Sequence, residues 1–93
     1  MANFTTAQAR ACNITRMEQK KNGSTHVSWI FGVTDADGNY YDWEDTSTSG
    51  RATKSTIKSA IQSHLTATFE KRSAPVVHTF TDTTDKGKGE TVG

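Results

Sequence analysis

Cysteine and proline are nearly missing from this sequence: Cys12 and Pro75 are the single examples of each in 93 residues. A lone cysteine excludes an intramolecular disulfide framework, so the chain depends on the packing of its own core. No base stands beside Cys12 in sequence to activate a thiolate, and it reads as a small buried apolar residue. An excess of either charge is missing too, with 11 basic side chains against 10 acidic ones. A field of one sign over the whole molecule is thereby excluded. Phosphate binding, if any, must rest on a local cluster. No apolar run approaches the ~20 residues that cross a bilayer. The opening "MANFTTAQAR" has no basic segment followed by an apolar one. The expectation is therefore no secretory signal, no membrane partner and a cytoplasmic, intracellular protein.

What is present is a chain rich in Thr and Ser, a composition suited to strands and polar surfaces. It resembles that of small bacteriophage proteins, which carries an expectation of viral origin. Chains of this size bury only roughly 60–65% of the surface of their unfolded form, so one small core and no deep pocket are expected. The expected organisation is one domain over residues 1–81, with residues 1–8 loosely ordered. "DTTDKGKGETVG", residues 82–93, lacks an apolar pattern and is expected to be a disordered tail.

Between these ends the pattern predicts an antiparallel meander. A first strand is expected over about 10–20, followed by a two-residue turn at Asn22–Gly23, a dipeptide that tolerates positive φ at both positions. "THVSWIFGVT" alternates cleanly, which places Val27, Trp29, Phe31 and Val33 on one face of a strand over about 25–35. In "DADGN" the expected closing pair is Asp35 and Asn39, around a type I turn that ends on a left-handed Gly38. That register sets Val33 opposite Tyr41 and Phe31 opposite Trp43, in a third strand over about 39–45. A slip by one residue would bury Asp42 against Phe31 instead. Ile57, Ile61, Leu65 and Phe69 recur every four residues and predict an amphipathic helix over about 52–71, packed on the apolar face. Pro75 ends that helix. "VVHTFT" reads as a short final edge strand over about 76–81, on an edge that the pattern does not specify. The fold class is α+β.

Chemistry-bearing residues are then sorted by position. Asp35, Asp37 and Asn39 match the first three ligand positions of a calcium loop. The pattern then fails, because Gly38 falls at the fourth position where that loop needs its glycine at the sixth, and Thr46 stands in place of the glutamate at the twelfth. Asp42 and Glu44 lie two apart on one strand, on an open sheet face that offers little of the burial acid–base work requires. His26, His64 and His78 fall on three different elements, without the close spacing of metal ligands. "KGKGE" has glycines but neither the strand nor the helix of a phosphate loop. No catalytic residue, metal, cofactor or small-molecule substrate is expected.

Two surfaces remain. The outer sheet face is expected to show Met17, Ser28, Ile30, Tyr40, Asp42 and Glu44, an apolar and aromatic patch in a polar rim, as interaction surfaces often are. Arg51, Lys54, Lys58, Lys71 and Arg72 form a basic run on and after the helix, able in principle to grip phosphates or the acidic hairpin of a neighbouring copy. The strand–strand–strand–helix layout of residues 10–71 is similar to two DNA-binding families, the plant ethylene-response-factor domain and the arm-binding domain of phage integrases. Both read the major groove with the exposed sheet face, but no motif residue matches, and Asp42 and Glu44 here would oppose phosphate. The leading expectation is a non-enzymatic protein–protein interaction protein (an adaptor, regulator or self-assembling component) that works through the outer sheet face and an edge strand. Its partner would be another protein or a second copy. A nucleic-acid-binding module using the basic run is the alternative.

Overall fold

The computed structural model describes residues 3–22, 25–67, 82–83 and 86–93, with only the main chain described at 20–22, 25–27 and 82–83. Helix α1 (Thr6–Ala11) precedes strands β1 (Asn13–Asn22), β2 (Thr25–Thr34) and β3 (Tyr40–Asp45). Helix α2 (Lys54–Ala67) and the short β4 (Asp82–Thr83) follow. The sheet is antiparallel in the order β3-β2-β1-β4. This is the expected α+β meander with its helix on the apolar face.

The second hairpin forms in the expected register. The Asp35 amide donates to the Asn39 carbonyl at 2.9 Å, and the Gly38 amide to the Asp35 carbonyl at 3.0 Å. Gly38 has φ of 87°, the left-handed conformation that a residue without Cβ adopts at low cost. Val33 therefore faces Tyr41 and Phe31 faces Trp43.

Alternation and helical period meet in the core. Trp29, Phe31 and Val33 of β2, Trp43 of β3, and Ile57, Ile61 and Leu65 of α2 are all buried. Each contributes about 1.5–3 kcal/mol by leaving water. The Trp29 indole is stacked on Phe31 and donates to the Thr48 carbonyl at 3.1 Å, which ties the β3–α2 connection to the sheet. The helix is shorter at its start than the pattern predicts. Thr53 caps it, its hydroxyl accepting from the Thr56 amide at 3.3 Å. Residues 68–71 lie outside the described residues.

The two ends of the chain depart from expectation. Residues 3–11 are not loose. Thr5 and Gln8 form a capping box that starts α1, and Phe4 is buried against the core, with its ring edge-on to Tyr41 at 5.5 Å. The first strand consequently begins at Asn13 rather than near Arg10. The last residues are not a disordered tail. Residues 89–93 run antiparallel to Arg10–Ile14, through Ile14 amide to Glu90 carbonyl at 2.9 Å, Val92 amide to Cys12 carbonyl at 2.9 Å and Gly93 amide to Arg10 carbonyl at 3.1 Å. Val92 is buried in the core. A polar segment is ordered here because its backbone groups find partners on β1, and a single apolar side chain suffices to seat it. The expected strand at 76–81 and His78 lie outside the described residues. β4 stands just after, on the β1 edge. The first hairpin closes on the pair Asn22–Thr25, so Asn22 belongs to the ladder and not to the turn; Gly23 lies outside the described residues.

Candidate interaction surfaces

A β-bulge sets the outer face of the sheet. Ile14 pairs with Val33, but Arg16 pairs with Gly32, leaving Thr15 extra. The bulge resets the alternation of β1. Ile14 and Met17, three apart, both turn into the core, and Arg16 and Glu18 turn out. Met17 is therefore a core residue opposite Phe31, not a member of the outer surface.

Gly32 then decides what the outer face can hold. A Cβ at this position would lie 2.6 Å from the Tyr40 hydroxyl and 2.7 Å from the Arg16 Cβ. Because Gly32 has none, the Tyr40 ring lies across β2 and brings its hydroxyl to the Asp42 carboxylate at 3.0 Å. Arg16 reaches the same Asp42 oxygen at 2.7 Å and grips Glu18 at 2.7 and 3.3 Å. The Asp42 side chain has no exposed surface. A buried carboxylate is tolerated because a guanidinium and a phenol hydrogen-bond to it. The Glu18 hydrogen bond, opposed in part by burial, raises the Arg16 guanidinium above its usual value. Burial, and next the hydrogen bond to Asp42, push the Tyr40 phenol up. The cluster is a strut that joins β1 to β3 across Gly32.

Among the described residues, the expected apolar patch is absent from this surface. Ile30 and Ser28 do point away from the helix, yet Ile30 is fully buried and Ser28 is 2% exposed. Neither offers area to a partner. Tyr40 is half-buried and Glu44 exposed. Asp42 is fully buried in its side chain but partly exposed as a residue, so its accessible surface is main chain. The register explains why. Asp35–Asn39 is a hydrogen-bonded pair, so Tyr41, Trp43 and Asp45 direct their backbone groups to β2. Tyr40, Asp42 and Glu44 direct theirs outward from the β3 edge.

The basic run is reorganised as well. Lys54 and Lys58 lie one turn apart on α2, and both reach Glu90, at 3.2 and 2.9 Å. These two hydrogen bonds hold the exposed Glu90 carboxyl below its usual range. Arg51 is exposed before the helix, and Lys71 and Arg72 lie outside the described residues. Sequence reasoning missed two further cations beside α2. Lys86 donates to the Ala52 carbonyl at 3.0 Å, and Lys88 is exposed. Gly87 and Gly89, with φ of 100° and 89°, shape the turn that carries Lys88, and the Glu90 amide closes it on the Gly87 carbonyl at 2.9 Å. Gly87 also packs on the stems of Lys54 and Lys58, where a Cβ would come within 3.2 Å. The "KGKGE" motif was the available signal, legible only once its strand partner was known.

The acids of the hairpin have structural duties. One Asp35 oxygen accepts from the Asp37 and Asn39 amides at 3.0 and 2.9 Å. Asp45 accepts from the amides and hydroxyls of Ser47 and Thr48. Among the described residues, no group of three His, Cys, Asp or Glu side chains converges as metal ligands. His64 is stacked on Trp43, ring centroids 4.5 Å apart. Among the described residues, no helix is long and apolar enough to cross a membrane. No protein-family model, curated protein or solved structure matches the chain.

Proposed function

We propose that this is a non-enzymatic interaction protein, an adaptor, regulator or self-assembling component, that takes a partner strand on the outer side of β3. The carrying observation is that β3 is an outermost strand of the sheet among the described residues. Glu44 is exposed, and Asp42 is exposed through its main chain while its carboxylate is buried. Backbone hydrogen bonds supply affinity in such strand addition, and alternate side chains supply specificity. The Arg16–Asp42–Tyr40 strut suits this role. It locks the side chain of the strand that would be paired, so that little ordering entropy remains to be lost on binding. Tyr40 and Glu44 flank the ledge and would contact alternate side chains of the partner.

Proline at position 44 tests the reading. The Glu44 amide points away from β2, so Glu44→Pro deletes an outward donor and leaves the β2 ladder intact. The expected result is an unchanged thermal transition, loss of the associated species in sedimentation equilibrium, and loss of the protection of the Asp42 amide against hydrogen exchange that accompanies association. Unchanged association in a folded Glu44→Pro protein would remove the β3 edge from consideration.

A further inference from the structure

A second surface pairs two features of opposite charge and matching form. Between α1 and the β2–β3 loop lies a pocket of about 300 Å³. It is lined by Phe4, Ala7, Ala11 and Ala36 together with Gln8, Asp35 and Asp37. No basic side chain lines it. Ligand pockets run upward from about 300 Å³, so this one suits a single long side chain more than a cofactor. An apolar lining that also carries carboxylates matches the stem and ammonium of lysine, which buries its methylenes and keeps its charge at the edge. Asp35 is committed to the turn by its two amide contacts, whereas Asp37 is exposed.

The same chain displays such a lysine. Lys88 stands on the glycine-flanked turn of residues 87–90, exposed, beside Lys54, Lys58 and Lys86 and near Arg51. Among the described side chains, Glu90 is the acid paired with this constellation, through Lys54 and Lys58. Among the described residues, acidic side chains thus stand at the pocket and basic ones at the turn.

We propose that Lys88 of one copy enters the Asp35–Asp37 pocket of a second copy. Each copy carries both halves of the contact, which therefore either closes reciprocally as a two-fold dimer or runs head to tail. Run head to tail, it leaves a pocket open on one copy and a lysine turn open on the other, and extends into a ring or an open row. Its driving force is charge complementarity around a small apolar seat, so it weakens as salt screens the two fields. The contact does not use the β3 edge and stands or falls apart from it.

Charge reversal at the two exposed residues provides the test, by sedimentation velocity from low micromolar to millimolar protein at low and high salt. Wild type is expected to associate at low salt and to dissociate at high salt. Asp37→Lys and Lys88→Glu should each weaken association about tenfold or more, because like charges then meet. An equimolar mixture of the two variants should associate again, since each supplies the charge that the other has lost. Wild type that stays monomeric at low salt up to millimolar protein overturns the proposal. So do variants that associate as wild type does, or a mixture that stays apart. Salt-insensitive association that Glu44→Pro abolishes and the charge variants do not would assign assembly to β3 alone. Wild type that remains monomeric but binds single- or double-stranded DNA through Lys88 would assign the basic turn to nucleic acid instead.

Discussion

On the side of the sheet under α2, Trp29, Phe31 and Val33 meet Ile57, Ile61 and Leu65, and contact is apolar throughout. On the other side, Gly32 lies between Arg16 and Tyr40, and the centre of the face is an ion pair with its carboxylate out of water. Phe31 and Ile30 are adjacent, point to opposite sides and are both fully buried. Burial on the first side follows from water leaving apolar surface. On the second side it demands partners for every charge removed from water. The first side should tolerate volume-conserving exchange among apolar residues. The second should tolerate loss of both partners together far better than loss of one.

That difference can be broken with two substitutions measured by urea unfolding. Trp29→Ala removes a fully buried ring and its bond to Thr48, and should cost roughly 3–5 kcal/mol. Arg16→Met leaves the Asp42 carboxylate buried beside Tyr40, without its guanidinium. Arg16 is 18% exposed and the phenol remains, so the cost should lie near the lower end of the range for broken buried pairs, about 3 kcal/mol. Adding Asp42→Leu to Arg16→Met should recover part of that loss. A double variant as weak as the sum of the single ones would show that the two side chains are not coupled across the outer face.

The same contrast governs what was legible in the sequence. The β2–β3 hairpin could be read residue by residue, because a turn with a left-handed glycine and a strict alternation pointed to one register. The helix was legible for the same reason, through Ile57, Ile61 and Leu65. Met17 could not be placed, because one extra residue at Thr15 inverts the facing of everything after it on β1, and polar sequence does not mark a bulge. Ile30 could not be placed because alternation alone assigned it to an exposed face. The polar strut around Gly32 was hidden because Arg16 and Asp42 are 26 residues apart and meet only when two registers are known. α1 is a different case. "TTAQ" is a capping-box signature that could have been read, and the absence of an apolar period concealed it.

The docked last segment lies between these extremes, since a polar sequence is seated by a single apolar side chain. Val92→Ala removes two buried methyl groups and should cost about 1.5 kcal/mol. Amide exchange at Val92 and Ile14 should report where that loss falls. Faster exchange at Ile14, whose amide bonds to Glu90, with the α2 amides unchanged, would mean that the segment opens as a local unit. Uniform acceleration would make it part of the main core. No change in stability would mean that Val92 does not seat the segment.

The smallest effect belongs to His64, the one described histidine side chain, which borders both worlds. It is half-buried, with its ring flat on Trp43. Burial lowers its basicity below the ordinary histidine value, against a smaller opposing pull from Asp45. The unfolded chain therefore takes up this proton first as pH falls. The stability held by neutral His64 is complete above the unfolded value of about 6.5. It declines as pH drops from there through the lower folded value, and then levels off. His64→Phe keeps a flat ring on Trp43 and removes the titration. Unfolding free energies measured from about pH 7 to about pH 5 should fall less steeply in that variant than in wild type. Equal slopes would mean that protonated His64 is accommodated over Trp43 as well as neutral His64 is, with the ring face repaying the desolvation of the charge.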